Sequence, residues 1–139
     1  MDDNADVVVV FGGTNDFGGN VPLGVITDKV NTTIYGALNI MCEGLIKKYP
    51  NAIITFVTPL KRTKLTNTEG YKLEDVANAI IEVCGNYSIP VLDLFRQGNF
   101  NPLITEFRNL YAMDGLHPTQ DFVKKVLARK IANHLIQIV

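Results

Sequence analysis

The 139 residues predict an α/β domain in three layers, built on a doubly wound parallel sheet. Two observations carry this reading. Short, unbroken apolar runs rich in β-branched residues recur along the chain, and amphipathic helical patterns lie between them. Strands that alternate with helices form βαβ units, whose strands are parallel and covered on both faces.

The elements follow in order. Residues 6–11 read Asp-Val-Val-Val-Val-Phe and stop at Gly12-Gly13, a strand buried on both faces. Residues 27–49 read as a helix with Thr27 as its cap, Val30, Ile34, Leu38, Met41 and Leu45 on one face, and Pro50-Asn51 as its end. Residues 52–58 are a second strand, stopped by Pro59. Thr68 or Glu69 opens a second helix with Leu73, Val76, Ile80 and Cys84 inward, closed by Gly85-Asn86. Residues 89–94 are a third strand, with Pro90 confined to its start because it donates no ladder hydrogen bond. Residues 95–118 show no obvious secondary structure, and loops of that length are usually functional or disordered. Thr119 then caps a last helix striped by Val123, Leu127, Ile131, Leu135 and Ile138.

Right-handed crossovers put the first two helices on one face and leave the last helix for the other. Three strands are few for such a sheet. Residues 1–139 therefore read as a single but partial domain, with a piece missing at its front.

Composition narrows the function. Lys plus Arg is 13 and Asp plus Glu is 14, a balance that argues against a nucleic-acid partner. No apolar run is long enough for a membrane span. Cys42 and Cys84 are too few for a disulfide scaffold and fall on apolar helix faces, as buried free thiols do. The acidic start lacks the build of a signal peptide, so a soluble, cytoplasmic protein is expected. No metal-ligand spacing appears, and neither a metal nor a cofactor is expected.

Ligands of open parallel sheets bind beyond the carboxyl ends of the strands. Gly13-Thr14-Asn15-Asp16 stands at the first such end. Asn15 projects an amide donor there, although the same residues also suit an ordinary turn. Asp114-Gly115-Leu116-His117-Pro118 ends the long loop. An aspartate three residues before a histidine can accept from its Nδ1–H and leave Nε2 as a general base. A turn-capping aspartate beside a surface histidine is the plainer alternative. His134 reads as a surface residue on the polar side of the last helix. Ser88 is the only serine and sits at the amino end of the third strand, roughly 15 Å from the ligand end. Thr14 and Thr119 occupy turn and cap positions. Tyr111 and Met113 either line an acyl pocket or pack under the loop. Lys61, Arg62 and Lys64 read as a solvated loop, with an anionic or sugar substrate as the alternative.

Taken together, the Asn15 block and the Asp114-x-x-His117 block resemble those of the SGNH hydrolases, the GDSL-type esterases and lipases. The resemblance covers essentially the whole chain but only the later part of a family domain. It implies a flavodoxin-like sheet of order 2-1-3-4-5 that lacks its first two strands. It implies carboxylic ester hydrolysis by acyl transfer, on a small-molecule, carbohydrate or lipid ester. His117 is then the general base, Asp114 its orienting carboxylate and Asn15 an oxyanion donor, with Gly13 and Asp16 supporting that loop. The family's nucleophilic serine block is absent, so the chain alone is expected to be inactive. The bared strand Val7–Phe11, or the uncovered sheet face, is expected to pair in a homo-oligomer. Two other readings stand beside it: a non-catalytic, self-associating α/β module, and a nucleotide- or phosphate-binding α/β domain using Gly12 to Gly19. The Asp114–His117 pair separates the esterase from the phosphate binder, which has no need of it.

Overall fold

The computed structural model describes residues 4–139, so the acidic start at residues 1–3 lies outside the described residues. In chain order the elements are β1 (Val7–Phe11), α1 (Thr14–Gly18), α2 (Ile34–Lys48), β2 (Ile53–Val57), α3 (Leu73–Asn86), β3 (Val91–Leu92), α4 (Leu94–Gln97), α5 (Thr105–Tyr111), α6 (Gln120–Phe122), a π-helical turn (Val123–Leu127) and α7 (Ala128–Ile138). The strands are parallel in the order β1-β2-β3, with Val7 opposite Ile53, Phe11 opposite Val57, and Val57 opposite Leu92. The fold is the truncated three-layer, doubly wound sheet expected from the sequence.

The period of two along each strand sorts side chains between two cores. Val8, Ile54 and Phe56 point to the face covered by α2 and α3, where Ile34, Leu38, Val76, Ile80 and Val83 are buried. Cys42 and Cys84 are buried free thiols in that core. Their mutual hydrogen bond and burial push the Cys84 thiol well above its ordinary range. Val57 points to the other face, into a second core with Leu60, Leu94, Phe100, Phe122 and Leu127.

Several boundaries differ from expectation, each for a local reason. α2 starts at Ile34, because the Thr33 hydroxyl caps it by accepting from Gly36 N at 3.1 Å. The segment that carries Thr27 is instead a tied loop. The Asp28 carboxylate accepts from Val25 N and the Thr33 hydroxyl, and the buried Asn39 amide donates to the carbonyls of Ile26, Asp28 and Tyr35. Val30 and Met41 are consequently exposed, and Cys42 joins Ile34 and Leu38 on the inner face. α3 starts at Leu73, after a turn closed by a Thr66–Lys72 bridge.

The long segment after β3 is not structureless. Asp93 caps α4 by accepting from Arg96 N, and α5 is held by a cluster of Phe100, Phe107, Tyr111 and Phe122 with ring centroids 5.1–5.6 Å apart. Tyr111 therefore packs under the loop, while Met113 is exposed. His134 is not a free surface residue: it is half-buried, with Nε2 2.8 Å from Oγ1 of the buried Thr55. That hydroxyl donates to Pro90 O at 2.9 Å, so the imidazole N–H is the donor to it. Among the described residues no helix is long and apolar enough to cross a membrane.

Candidate active site

The Asp114–His117 turn lies against the segment that follows β2. Gly115 adopts φ +75°, and a side chain there would run into Thr63. Thr63 N donates to Gly115 O at 2.9 Å, which ties the two segments together. Within the turn, Asp114 Oδ1 accepts from Leu116 N at 2.9 Å and from His117 N at 2.7 Å. Its Oδ2 lies 2.6 Å from His117 Nδ1.

This arrangement fixes the tautomer. A carboxylate that holds two backbone amides acts as an acceptor, so the Nδ1 facing it carries the hydrogen and Nε2 keeps its lone pair. The His117 imidazole, followed by the two amides, holds the Asp114 carboxyl down to about 2. His117 is exposed and borders a groove of ≈ 510 Å³ walled mainly by apolar groups, among them Phe11, Pro59, Leu60, Val123 and Leu127. Among the described residues no cluster of His, Cys, Asp and Glu is arranged to hold a metal ion.

The far wall of the groove comes from the β1–α1 junction. Gly13 caps α1 in the left-handed region at φ 97°, and the short helix is anchored by Phe17, fully buried against the edge of the Tyr71 ring. Thr14 faces the groove, and its Oγ1 is buried without a hydrogen-bond partner. Asn15, the next residue, is exposed and does not line the groove. Gly13 and Asp16 border a different cavity of ≈ 180 Å³ beside α2. The structure thus bonds Asp114 to His117, places Thr14 in the lining of the same groove, and leaves Asn15 exposed outside that lining. Ser88 is exposed at φ 55°, in the turn that enters β3 at its amino end.

Arg62, read from sequence as part of a solvated basic loop, is instead tied to α1. Its guanidinium stacks 5.5 Å from the Phe17 ring, and Nη1 donates to Thr14 O at 3.3 Å. The contact joins residues 48 positions apart, so no local pattern announces it.

Comparison with known proteins bears on what this groove belongs to. The family model described as GDSL-like lipase/acylhydrolase matches residues 2–123. A crystal structure of a protein from Lactobacillus plantarum is similar at 31% identity and a TM-score of 0.95, covering 100% of this chain and 70% of that one. A possible lipase from Chitinophaga pinensis is similar at 25% identity and a TM-score of 0.78, covering 95% of this chain and 72% of that one. Another solved structure shares 36% identity at a TM-score of 0.92, covering 99% of this chain and 67% of the other. No curated protein matches. A match over so much of the sequence, on a fold shared with a possible lipase, means that the chain belongs to the GDSL-like lipase/acylhydrolase family of ester hydrolases.

Proposed function

We propose that this chain carries the proton-transfer part of a carboxylic ester hydrolase. The observation behind the reading is the Asp114–His117 pair, with an acceptor Nε2 beside an apolar groove. In acyl transfer a hydroxyl attacks the ester carbonyl while a base takes its proton, then returns it to the leaving alcohol. His117 Nε2 is that base, and Asp114 orients the ring and stabilises the imidazolium. The role of oxyanion donor falls to Asn15 on the family resemblance rather than on the groove's lining, with Gly13 and Asp16 supporting its loop. The apolar walls suit a small-molecule, carbohydrate or lipid ester with an apolar acyl or alcohol part. The nucleophile is outside these 139 residues: Ser88 is the only serine and stands at the wrong end of β3. Residues 1–139 act as one partial domain and lack serine-dependent turnover on their own.

The test uses p-nitrophenyl acetate and a fluorophosphonate probe. The expected result is slow, His117-dependent hydrolysis with no covalent labelling, because an imidazole attacks activated esters unaided. Stoichiometric labelling of any residue, or hydrolysis unchanged in His117→Ala, overturns the reading.

A further inference from the structure

A second cleft lies on the other side of the segment that follows β2, with a volume of ≈ 340 Å³. Lys61, Arg62, Lys64, Lys72 and Arg96 border it, against the single carboxylate of Glu74. Arg96 is already committed, to Asp93 at 3.0 Å and Glu74 at 3.1 Å. Among the described residues, Lys61, Arg62, Lys64 and Lys72 form no ion pair, whereas Lys29, Lys47 and Lys125 each do. Four cations without an ion-pair partner thus border one cleft of a chain whose net charge is −1, with the Arg62 guanidinium held by Thr14 O and Lys64 Nζ 5.9 Å from the Phe17 ring. Like charges gathered over low-dielectric walls focus a positive potential that an anion relieves.

The walls have their own character. Lys61 Nζ lies 5.5 Å from the centre of the Phe95 ring, and Arg96 lies 5.8 Å from it on the same ring. Leu65 and Leu103 border the cleft while 57% and 51% exposed. Arg62 Nε is buried without a hydrogen-bond partner. Cations beside exposed aliphatic and aromatic surface match a ligand with an anionic head and an apolar body.

We propose that this cleft binds a small amphipathic anion, its phosphate or carboxylate head held by Lys61, Lys64 and Lys72 and its apolar part lying on Phe95, Leu65 and Leu103. The site is separate from the His117 groove, and occupation of it requires no ester chemistry.

Hexyl phosphate and hexanoate distinguish the two head groups, and hexyl glucoside supplies the uncharged control. Binding is read from amide chemical shifts of residues 61–65 and 95–103. One or both anions are expected to move these signals with a millimolar dissociation constant that weakens with added salt, and the glucoside is not. Lys61→Glu with Lys64→Glu should weaken binding about tenfold or more. Lys124→Glu with Arg129→Glu makes the same net-charge change on the last helix and should leave binding within about twofold. Circular dichroism confirms that both double variants are folded. The proposal fails if neither anion moves the cleft signals at about 10 mM, a concentration that would detect even weak binding. It fails equally if the glucoside binds as well as the anions, or if the two double variants lose binding alike.

Discussion

Asp114 is exposed, yet its carboxylate is committed to an imidazole and two amides. In the folded chain this favours the ionised form, and the sign for stability follows. A carboxylate held low contributes fully above its unfolded value of about 3.9 and loses that contribution as the pH falls toward its folded value. The expected outcome is a carboxyl carbon signal for Asp114 that titrates with a midpoint near 2, below the chain's unpaired carboxylates. A midpoint in the ordinary range would mean that the His117 bond does not form in solution. At this scale the legible part was the local part. Asp-x-x-His spacing closes a turn by itself, so the sequence alone suffices to pair the two residues. That Asn15 stands outside this groove's lining is not legible, because the pose of α1 rests on Phe17 packing against Tyr71, far along the chain. His134 was misread for a similar reason: its partner Thr55 lies on the central strand, where a helical wheel cannot see it.

Between residues and the whole lies the aromatic cluster that organises the segment after β3. Phe122 is the hub, in edge or tilted contact with Phe100, Phe107 and Tyr111. It is also the last residue of α6, so it couples the α5 segment to the final helix. Phe122→Ala should cost about 3–5 kcal/mol, the usual range for emptying a buried aromatic site. The thermal midpoint should fall by roughly 10 °C or more, checked by circular dichroism. Loss confined to a surface residue's few tenths of a kcal/mol would show that the cluster does not carry the loop. β2 and the start of the last helix could be read from sequence because their signals are short-range: an apolar run, Pro59, and the Thr119 hydroxyl that accepts from Phe122 N. The expected strand 89–94 shrinks to Val91–Leu92 because Asp93 caps α4, and β1, expected buried on both faces, is exposed on one. Helix starts were misplaced where another cap competed. Thr27 and Thr33 look alike in sequence, and only the Asp28–Thr33 bond decides between them. α5 was overlooked because its rings gain partners only in the folded chain.

Over the whole molecule, the sheet is unevenly covered. The last helix sits over β2 through Thr55 and Val57, and beside it Val9 is 42% and Phe11 49% exposed on edge strand β1. A strand with one free edge and a bare apolar face is a template for pairing. On this basis a homo-oligomer is proposed, most simply a two-fold dimer across β1 or its bare face. Light scattering at micromolar concentration should give twice the 15.4 kDa chain mass, reduced to the monomer by Val9→Lys. A monomer unaffected by the substitution rules it out. The same edge has a kinetic signature in deuterated water. Ile53 N donates to Asp6 O, and with Val7 opposite Ile53 the parallel ladder turns the amides of Val8 and Val10 toward β2. Those of Val7, Val9 and Phe11 point away from the sheet. Exchange along five consecutive residues of β1 therefore alternates slow and fast while the edge is free. An adjoining strand would slow the fast set and erase the alternation, so one spectrum of this strand reports whether its outer edge is occupied.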